Sequence, residues 1–158
     1  MGSSGVERSD DRTVVTNRKA RHDYELLEHV ECGIQLTGTE VKSLRLGQAS
    51  LVDCFARFRG GEMWLEGMHI PPYEQGDTRT HLPLRPRKLL LHRRQIDALR
   101  SEVSEKGLSL VPLRVYFTHG IAKVEIALAR GKRQHEKRQS IAKRDAQREA
   151  ERELGRRR

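Results

Sequence analysis

The amino-acid sequence predicts a mainly β fold, a small antiparallel β-barrel with peripheral helices and a basic C-terminal tail. Several short segments alternate apolar and polar residues, glycine turns separate them, and helical spacing is confined to the connections and the tail. A closed or partly open barrel encloses a small core and leaves few exposed sheet edges. That architecture suits a chain of 158 residues of which 35% are hydrophobic and 4% aromatic.

The N-terminal residues 1–15 contain Gly, Ser, Asp and Arg with little apolar content, and predict a disordered leader before a barrel domain at 16–130. From Tyr24 onward, apolar residues fall on even positions except at Glu28, which is the period-two pattern of a half-buried strand. We therefore predict a first strand that begins at Tyr24 and carries Glu31 on its polar face.

A two-turn helix is predicted after this strand. Gly38-Thr39 offers a turn and an N-cap, and Glu40 suits the N-terminus of a helix. Lys42 and Arg45 are three residues apart and are therefore neighbours on one helix face. They form either a phosphate-binding pair or a merely solvated one.

Two hairpins supply further strands. Residues 51–59 and 62–70 form the first hairpin, and residues 109–118 and 121–130 form the second, each around a turn that contains glycine. Trp64 is predicted to pack in the core or at its rim rather than to stack on bases.

The segment between the hairpins divides into a loop and a helix. Residues 71–87 hold four of the five prolines and show no periodicity, so they predict a long loop. Apolar residues at helical spacing then predict a helix that begins near His92 and ends at Gly107. With at least five antiparallel strands in all, an OB-like barrel is the first architecture to consider.

The C-terminal residues 131–158 are basic, with 11 Lys and Arg against 5 Asp and Glu. Apolar residues four apart lie on one face of a prospective helix, but alanines bury little surface and an isolated helix of this length is marginal in water. We predict a tail that is disordered when free and helical when bound to an anionic partner. A plain solvated tail is the alternative.

The net charge of +9 favours an anionic partner, because Lys and Arg gain free energy by neutralising phosphates and releasing condensed counterions. Nucleic acid or an anionic membrane would satisfy this charge. The longest apolar runs are far shorter than the roughly 18 residues of a membrane span, and no apolar segment follows the N-terminal residues as in a signal peptide. We therefore predict a soluble, cytoplasmic protein without a membrane contact.

Motifs for common catalytic chemistry are missing from the sequence. It contains no phosphate-cradling glycine loop, no HExxH and no paired CxxC, so we predict no catalytic residue, no metal and no cofactor. Cys32 and Cys54 stand in apolar, strand-like contexts and predict buried free thiols. Scattered histidines leave open an RNA-processing enzyme. A binder that stacks single-stranded bases is another alternative, which the low aromatic content disfavours.

Several segments closely resemble one known family. The matching segments are Asn17–Tyr24, Gly38–Arg45 with Gly47, Arg87–His92, Val111–Leu113, Tyr116, Ala122–Val124, Ala129–Lys132 and Lys137-Arg138. Over about residues 17–148, the chain is similar to the SmpB family, the SsrA-binding proteins. The resemblance implies an OB-like barrel that binds transfer-messenger RNA (tmRNA, also called SsrA RNA).

That resemblance implies an RNA-binding adaptor of trans-translation, not an enzyme. Such a protein binds tmRNA, helps it mimic a tRNA by replacing the anticodon arm, and delivers it to stalled ribosomes for rescue and peptide tagging. The implied partners are tmRNA, the decoding region of 16S ribosomal RNA and, through the RNA, elongation factor Tu. The protein itself is expected to be a monomer.

By the same resemblance, a set of residues in the barrel domain is predicted to face the tmRNA. Glu31 would repel phosphates, but it can accept hydrogen bonds from base amino groups or orient basic neighbours. Ordinary exposed strand polarity is the alternative for Glu31. The predicted RNA-facing residues are Asn17, Arg18, Arg21, His22, Tyr24, Glu31, Lys42, Arg45 and Lys123.

The resemblance extends into the tail, which in this family folds inside the ribosome. Glu136 stands where the family has Asp, so the charge is kept on a longer side chain. His135 matches a position that stacks on a base of the decoding centre, or else it is a solvent-facing histidine. The predicted ribosome-facing residues are Gly131, Lys132, Arg133, His135, Glu136, Lys137, Arg138, Arg144, Arg148 and Arg152.

Overall fold

The computed structural model describes residues 12–73 and 80–132, together with Arg148 in the tail. Within these ranges the chain forms seven strands and three helices. In chain order they are β1 (Arg12–Thr16), α1 (Arg18–Asp23), β2 (Tyr24–Ile34), α2 (Gly38–Arg45), β3 (Phe55–Arg59), β4 (Glu62–Glu66), β5 (Arg87–Leu90), α3 (Arg93–Lys106), β6 (Ser109–Thr118) and β7 (Ile121–Gly131).

The strands close into an antiparallel barrel. The order around the barrel is β6-β3-β4-β5-β2-β7, and β7 pairs again with β6. β1 lies outside this closed ring and pairs with β6. This topology confirms the predicted OB-like antiparallel barrel with peripheral helices. The predicted tail lies outside the described residues, apart from Arg148.

Two apolar clusters stabilise the fold. The larger cluster fills the barrel interior and takes residues from all six strands of the closed ring, together with residues of α2 and α3. The smaller cluster lies beneath α1 and contains Ala20, Val111, Leu113, Ala127 and Ala129, with Tyr24 and Leu26 packed against it. The barrel is therefore covered by α1 on part of its outer face.

β-Bulges explain how a single strand contributes side chains to both apolar clusters. The register of β2 against β7 shifts between Leu26 and His29, and that of β6 against β7 shifts between Pro112 and Arg114. An extra residue at a bulge moves the following side chains to the opposite face of the strand. Tyr24 and Leu26 therefore contact the cluster beneath α1, whereas later residues of β2 contact the barrel interior.

Most elements predicted from the sequence are present, namely β2, α2, α3, β6, β7 and the β3–β4 hairpin. Both strands of that hairpin are shorter than the predicted 51–59 and 62–70. Gly67 has a φ of 90°, and a Cβ at this residue would lie 2.7 Å from the carbonyl oxygen of Asp53. The chain therefore leaves the sheet at Gly67, where it passes close to the residues before β3.

The prediction of a disordered leader is wrong for residues 12–15, which lie in β1. Val14 and Val15 pack against the interior cluster, and β6 supplies the hydrogen-bonding edge. Residues 1–11 lie outside the described residues. The sequence predicts neither α1, which buries only Ala20 and so lacks an apolar stripe, nor β5, which is too short to show alternation.

The N-cap of α2 is Thr37, not the predicted Gly38-Thr39. The Thr37 hydroxyl accepts a hydrogen bond from the Glu40 amide at 3.4 Å, and the Thr37 amide donates to Glu40 Oε1 at 2.9 Å. This reciprocal arrangement is a capping box. The Glu40 carboxylate is consequently turned into the protein, where its side chain is 0% exposed.

Glu40 and Arg87 form a buried ion pair, and the partly exposed Arg85 also pairs with Glu40. Arg87 Nε donates to Glu40 Oε2, and Arg85 Nη2 donates to Oε1, both at 2.5 Å. Arg87 also donates to the carbonyl oxygens of Met68 at 2.5 Å and Pro83 at 3.1 Å. Burial raises the pKa of Glu40, but the hydrogen bonds from Arg85 and the other donors outweigh burial and hold the pKa below its ordinary value. These ion pairs join α2 to β5 and to the segment before β5.

We expect Glu40→Gln to destabilise the protein by about 3–5 kcal/mol, because it leaves the buried Arg87 guanidinium without a counter-charge. Urea unfolding followed by circular dichroism measures the change. Glu102→Gln is the control, since it breaks an ion pair with Lys106 at the surface of α3 and should alter stability little. Equal losses in the two variants would contradict the assigned role of Glu40.

The stability of the Glu40→Gln variant and that of the parent protein should depend differently on pH in acid. Because the folded-state pKa of Glu40 is lowered, its contribution to stability is present above the ordinary carboxyl pKa and is lost as the pH falls through the folded-state value. The Glu40→Gln variant lacks this titration, so its stability should decline less than that of the parent protein across that window. Parallel curves of unfolding free energy against pH would contradict this expectation.

Candidate nucleic-acid interface

The first predicted site segment forms α1 and its N-cap. Asn17 Nδ2 donates to the Pro112 carbonyl at 2.9 Å, and the Asn17 amide donates to the Leu113 carbonyl at 2.7 Å. Arg18 and Arg21 are exposed on the helix that follows. Asn17 therefore has a structural contact that the sequence does not predict, and it anchors the helix that presents the two arginines.

The chain leaves the barrel beside α1. Tyr24 pairs with Gly131 at the ends of β2 and β7, and the Lys132 amide donates to the Asp23 carbonyl at 3.0 Å. His22 Nδ1 lies 2.9 Å from Asp23 Oδ1. The predicted residues His22, Tyr24, Gly131 and Lys132 therefore belong to one surface, which we call the α1 surface together with Asn17, Arg18 and Arg21.

Lys42 and Arg45 lie on the exposed side of α2, as predicted. Lys42 Nζ is 5.5 Å from the centroid of the Tyr73 ring, and Arg45 Cζ is 4.8 Å from the centroid of the Phe117 ring. Arg45 Nη2 also donates to the Gly120 carbonyl in the β6–β7 turn at 3.3 Å. Each of the two cationic side chains therefore packs over an aromatic ring, while its charged group stays accessible to an anion. We call this the α2 surface.

Glu31 and Lys123 lie on the barrel wall and line the same groove, of about 440 Å³. Lys123 is the register partner of both Gly33 on β2 and Tyr116 on β6. The groove places a carboxylate and an ammonium group beside apolar and imidazole side chains, an arrangement that can accept one polar, planar ligand group. We call it the wall groove; its lining residues are Glu31, Gly33, Leu90, Leu91, His92, Gln95 and Lys123.

The structure places the α1 and α2 surfaces towards opposite ends of strand β7. Lys123 is near the start of β7, and Gly131 is at its end beside α1. Eight residues of extended strand span roughly 27 Å. The α1 surface is therefore at one end of β7, and the α2 surface contacts the turn at the other end. A partner that contacts both must extend along the barrel wall.

Sequence reasoning missed several residues of these surfaces. Leu91 and His92 belong to a segment that matched the family, but their position on the wall groove depends on strand β5, which was not predicted. Phe55 meets the Tyr24 ring edge-on, with centroids 6.5 Å apart and an interplanar angle of 78°. Arg12 donates a hydrogen bond to the Arg45 carbonyl from β1. No sequence periodicity indicates these long-range contacts.

The remaining predicted tail residues give little structural information. Arg148 is helical and exposed. The others lie outside the described residues, so their contact with the ribosome stays a prediction. They are Arg133, His135, Glu136, Lys137, Arg138, Arg144 and Arg152.

Other predicted features are also located by the structure. Cys32 and Cys54 are buried free thiols, as predicted, and burial raises the pKa of each to about 12. Trp64 is half-buried, so it packs at the rim. In the described residues no group of His, Cys, Asp or Glu side chains could hold a metal ion. Over the same residues, no helix combines the length and apolar character needed to cross a membrane.

The fold and the surfaces define a small β-barrel protein with basic faces for an anionic partner. The SmpB protein family model matches residues 14–156, and the chain belongs to that family. An SsrA-binding protein of Mycolicibacterium vanbaalenii is 59% identical, covering 96% of this chain and 92% of its own length. One of Desulforudis audaxviator is 58% identical, with 91% and 94% covered.

The fold is also similar to that of a solved structure. It is described as "tmRNA-SmpB: a journey to the center of the bacterial ribosome" and shares 47% sequence identity, with a TM-score of 0.66. The match covers 84% of this chain and 95% of that chain. The similarity thus extends over nearly all of the solved SmpB chain.

We expect Asn17→Ala to destabilise the start of α1, because the Pro112 carbonyl loses its hydrogen-bond donor at a cost of about 1 kcal/mol. Hydrogen exchange measured by NMR should show faster exchange of the α1 amides. Arg18→Ala is the control, since Arg18 is exposed on the same helix. If both variants exchange like the parent protein, the anchoring role of Asn17 is wrong.

Proposed function

We propose that this protein is an RNA-binding adaptor of trans-translation that binds tmRNA and delivers it to stalled ribosomes for rescue and peptide tagging. The observation that carries the proposal is membership of the SmpB family along nearly the whole chain. Relatives in that family are named SsrA-binding proteins. The basic surfaces at both ends of β7 suit a large, folded anionic partner.

In this proposal the barrel and the tail have different tasks. The α1 and α2 surfaces neutralise phosphates of the tmRNA, and the barrel replaces the missing anticodon arm so that the RNA resembles a tRNA. Elongation factor Tu is a partner only through the RNA. The tail enters the decoding region of 16S ribosomal RNA, where its basic residues neutralise phosphates and release counterions while the tail becomes helical.

The wall groove has a chemistry that distinguishes it from the two basic surfaces. A carboxylate such as Glu31 repels phosphate but accepts hydrogen bonds from base amino and imino groups. Lys123 on the same groove can bind a phosphate of the same segment. We therefore assign base contact to Glu31 and backbone contact to Lys123, in a part of the RNA whose bases are unstacked.

In the proposed adaptor role the protein itself neither forms nor breaks a covalent bond. We place the protein in the cytoplasm, because ribosomes translate there. Labelled tmRNA incubated with the pure protein should remain intact, whereas a processing enzyme would cleave it. Reproducible fragments that disappear when a histidine is replaced would favour the enzyme instead.

A binding titration tests the proposal directly. The protein should bind tmRNA more tightly than an elongator tRNA at the same salt concentration, because only tmRNA lacks the arm that the barrel replaces. Salt must be held equal because phosphate contacts dominate affinity. Equal binding to both RNAs would show that the protein binds RNA nonspecifically through its positive charge and would refute the adaptor role.

We expect Lys42→Ala or Arg45→Ala to weaken tmRNA binding and to lower the slope of log affinity against log salt by about one unit each. Each substitution removes one phosphate contact from the α2 surface. Lys106→Ala on α3 is the control, because it removes one positive charge that already pairs with Glu102. Slopes that stay unchanged would reassign Lys42 and Arg45 to an ordinary solvated helix face.

We expect truncation after Gly131 to leave a folded protein that holds tmRNA but does not support peptide transfer to it on a stalled ribosome. The α2 surface and all of the α1 surface except Lys132 remain, whereas the basic tail is lost. A reconstituted tagging assay measures the transfer. Replacing Lys137 and Arg138 by Glu should cause a milder defect, because phosphate attraction becomes repulsion.

Circular dichroism of the isolated tail peptide completes this test. Little helix is expected in buffer, since the tail buries too little apolar surface to order itself. Full tagging activity without residues 132–158, or a stably helical free peptide, would contradict the proposed mechanism of the tail.

A further inference from the structure

We infer that Tyr116 is a positioning residue whose hydroxyl group holds the Glu31 carboxylate at the wall groove for contact with a base. The inference rests on the proposed function and adds a residue to it. Tyr116 lies on β6 and Glu31 on β2, with β7 between them. The Tyr116 hydroxyl reaches across β7 and donates a hydrogen bond to Glu31 Oε2.

The position of Glu31 has an electrostatic cost. Glu31 and Glu125 are direct partners in the β2–β7 register, and like charges directly opposite on adjacent strands repel. Arg114 Nε and His29 Nδ1 lie 3.2 Å and 3.5 Å from the Glu125 carboxylate. Those pairs serve Glu125 rather than Glu31. A carboxylate that the fold places against another carboxylate does not stabilise the barrel through its charge, and such a local conflict is expected at a functional site.

Tyr116 is itself held rigidly. The Arg114 guanidinium carbon lies 4.0 Å from the centroid of the Tyr116 ring, and Arg114 Nη1 donates to the Thr13 hydroxyl of β1 at 3.3 Å. Tyr116 is only 8% exposed. Burial raises the pKa of Tyr116, and the hydrogen bond to Glu31 raises it further, so the phenol keeps its proton at neutral pH. The hydroxyl is therefore a fixed donor that serves one oxygen of Glu31.

This geometry assigns different tasks to the two carboxylate oxygens. Oε2 accepts from Tyr116, and among the described residues no hydrogen bond reaches Oε1. Because Tyr116 already orients the Glu31 side chain, that side chain loses little further entropy when a base donates a hydrogen bond to Oε1. Removing the Tyr116 hydroxyl should therefore weaken a hydrogen bond made by Glu31 without removing any charge from the protein.

The test uses the full-length protein with Tyr116→Phe, Glu31→Ala and the double variant, titrated with tmRNA at several salt concentrations. Tyr116→Phe keeps the aromatic ring beside Arg114 and should weaken binding by about 3- to 10-fold with an unchanged salt slope. In the Glu31→Ala background, the same substitution should have no further effect. Ser101→Ala, which removes an exposed hydroxyl from α3, is the control and should bind like the parent protein.

The outcomes separate this inference from the proposed function. If the parent protein does not prefer tmRNA, the proposed function fails. If the parent protein prefers tmRNA and Tyr116→Phe binds equally well, or weakens binding as much without Glu31 as with it, the positioning role is overturned. Glu31→Gln should leave the melting temperature unchanged or raise it, because it removes the repulsion from Glu125. A marked fall would show that Glu31 is structural and would also overturn the inference.

Discussion

The buried carboxylate of Glu40 is the interaction on which the geometry of the α2 surface depends. A buried carboxylate must accept hydrogen bonds from neighbouring groups, because an unpaired charge in the interior costs several kcal/mol. α2, β5 and the segment between them therefore pack in an arrangement that satisfies Glu40 and Arg87 together. Ser43, which donates to the Pro71 carbonyl at 2.9 Å, and His81, which bridges α2 to the Ile70 carbonyl at 2.9 Å, support the same junction. The direction in which Lys42 and Arg45 point follows from this packing.

Alternation in the sequence was sufficient to predict β2, β6 and β7, because each of these strands has one face against an apolar cluster. It could not predict that the alternation serves two different clusters. In β6, Val111 and Leu113 contact the cluster beneath α1, whereas Val115 contacts the barrel interior. All three have odd numbers, and the bulge between Pro112 and Arg114 accounts for the change of face. Bulges leave no signal in a simple period-two pattern.

The types of residue in the candidate site could be predicted from the sequence, but the residues with which they form hydrogen bonds and ion pairs could not. Exposed basic residues on α1 and α2 follow from local pattern and from the family resemblance. The partners of the acidic residues do not, since Glu40 and Arg87 are separated by 47 positions in the chain, and Glu31 and Tyr116 by 85. Only the closed barrel brings such residues together. Glu40 stands in the first turn of α2, as predicted, but local reasoning does not reveal that its carboxylate is buried against Arg85 and Arg87.

Strand β7 connects the stability of the fold to the geometry of the surface. Val124 and Ile126 fill the barrel interior, while Lys123 and Glu125 alternate with them on the outside. β7 pairs with both β2 and β6, so a shift of its register by one residue would exchange the two faces and bury the charges. The cost of burying Lys123 and Glu125 excludes that register. The same cost keeps Lys123 paired with Gly33 and Tyr116, on the groove that Glu31 also lines. The outward charges therefore help to specify the barrel, and the barrel interior in turn fixes the spacing of Lys123 and Glu125 on the barrel wall.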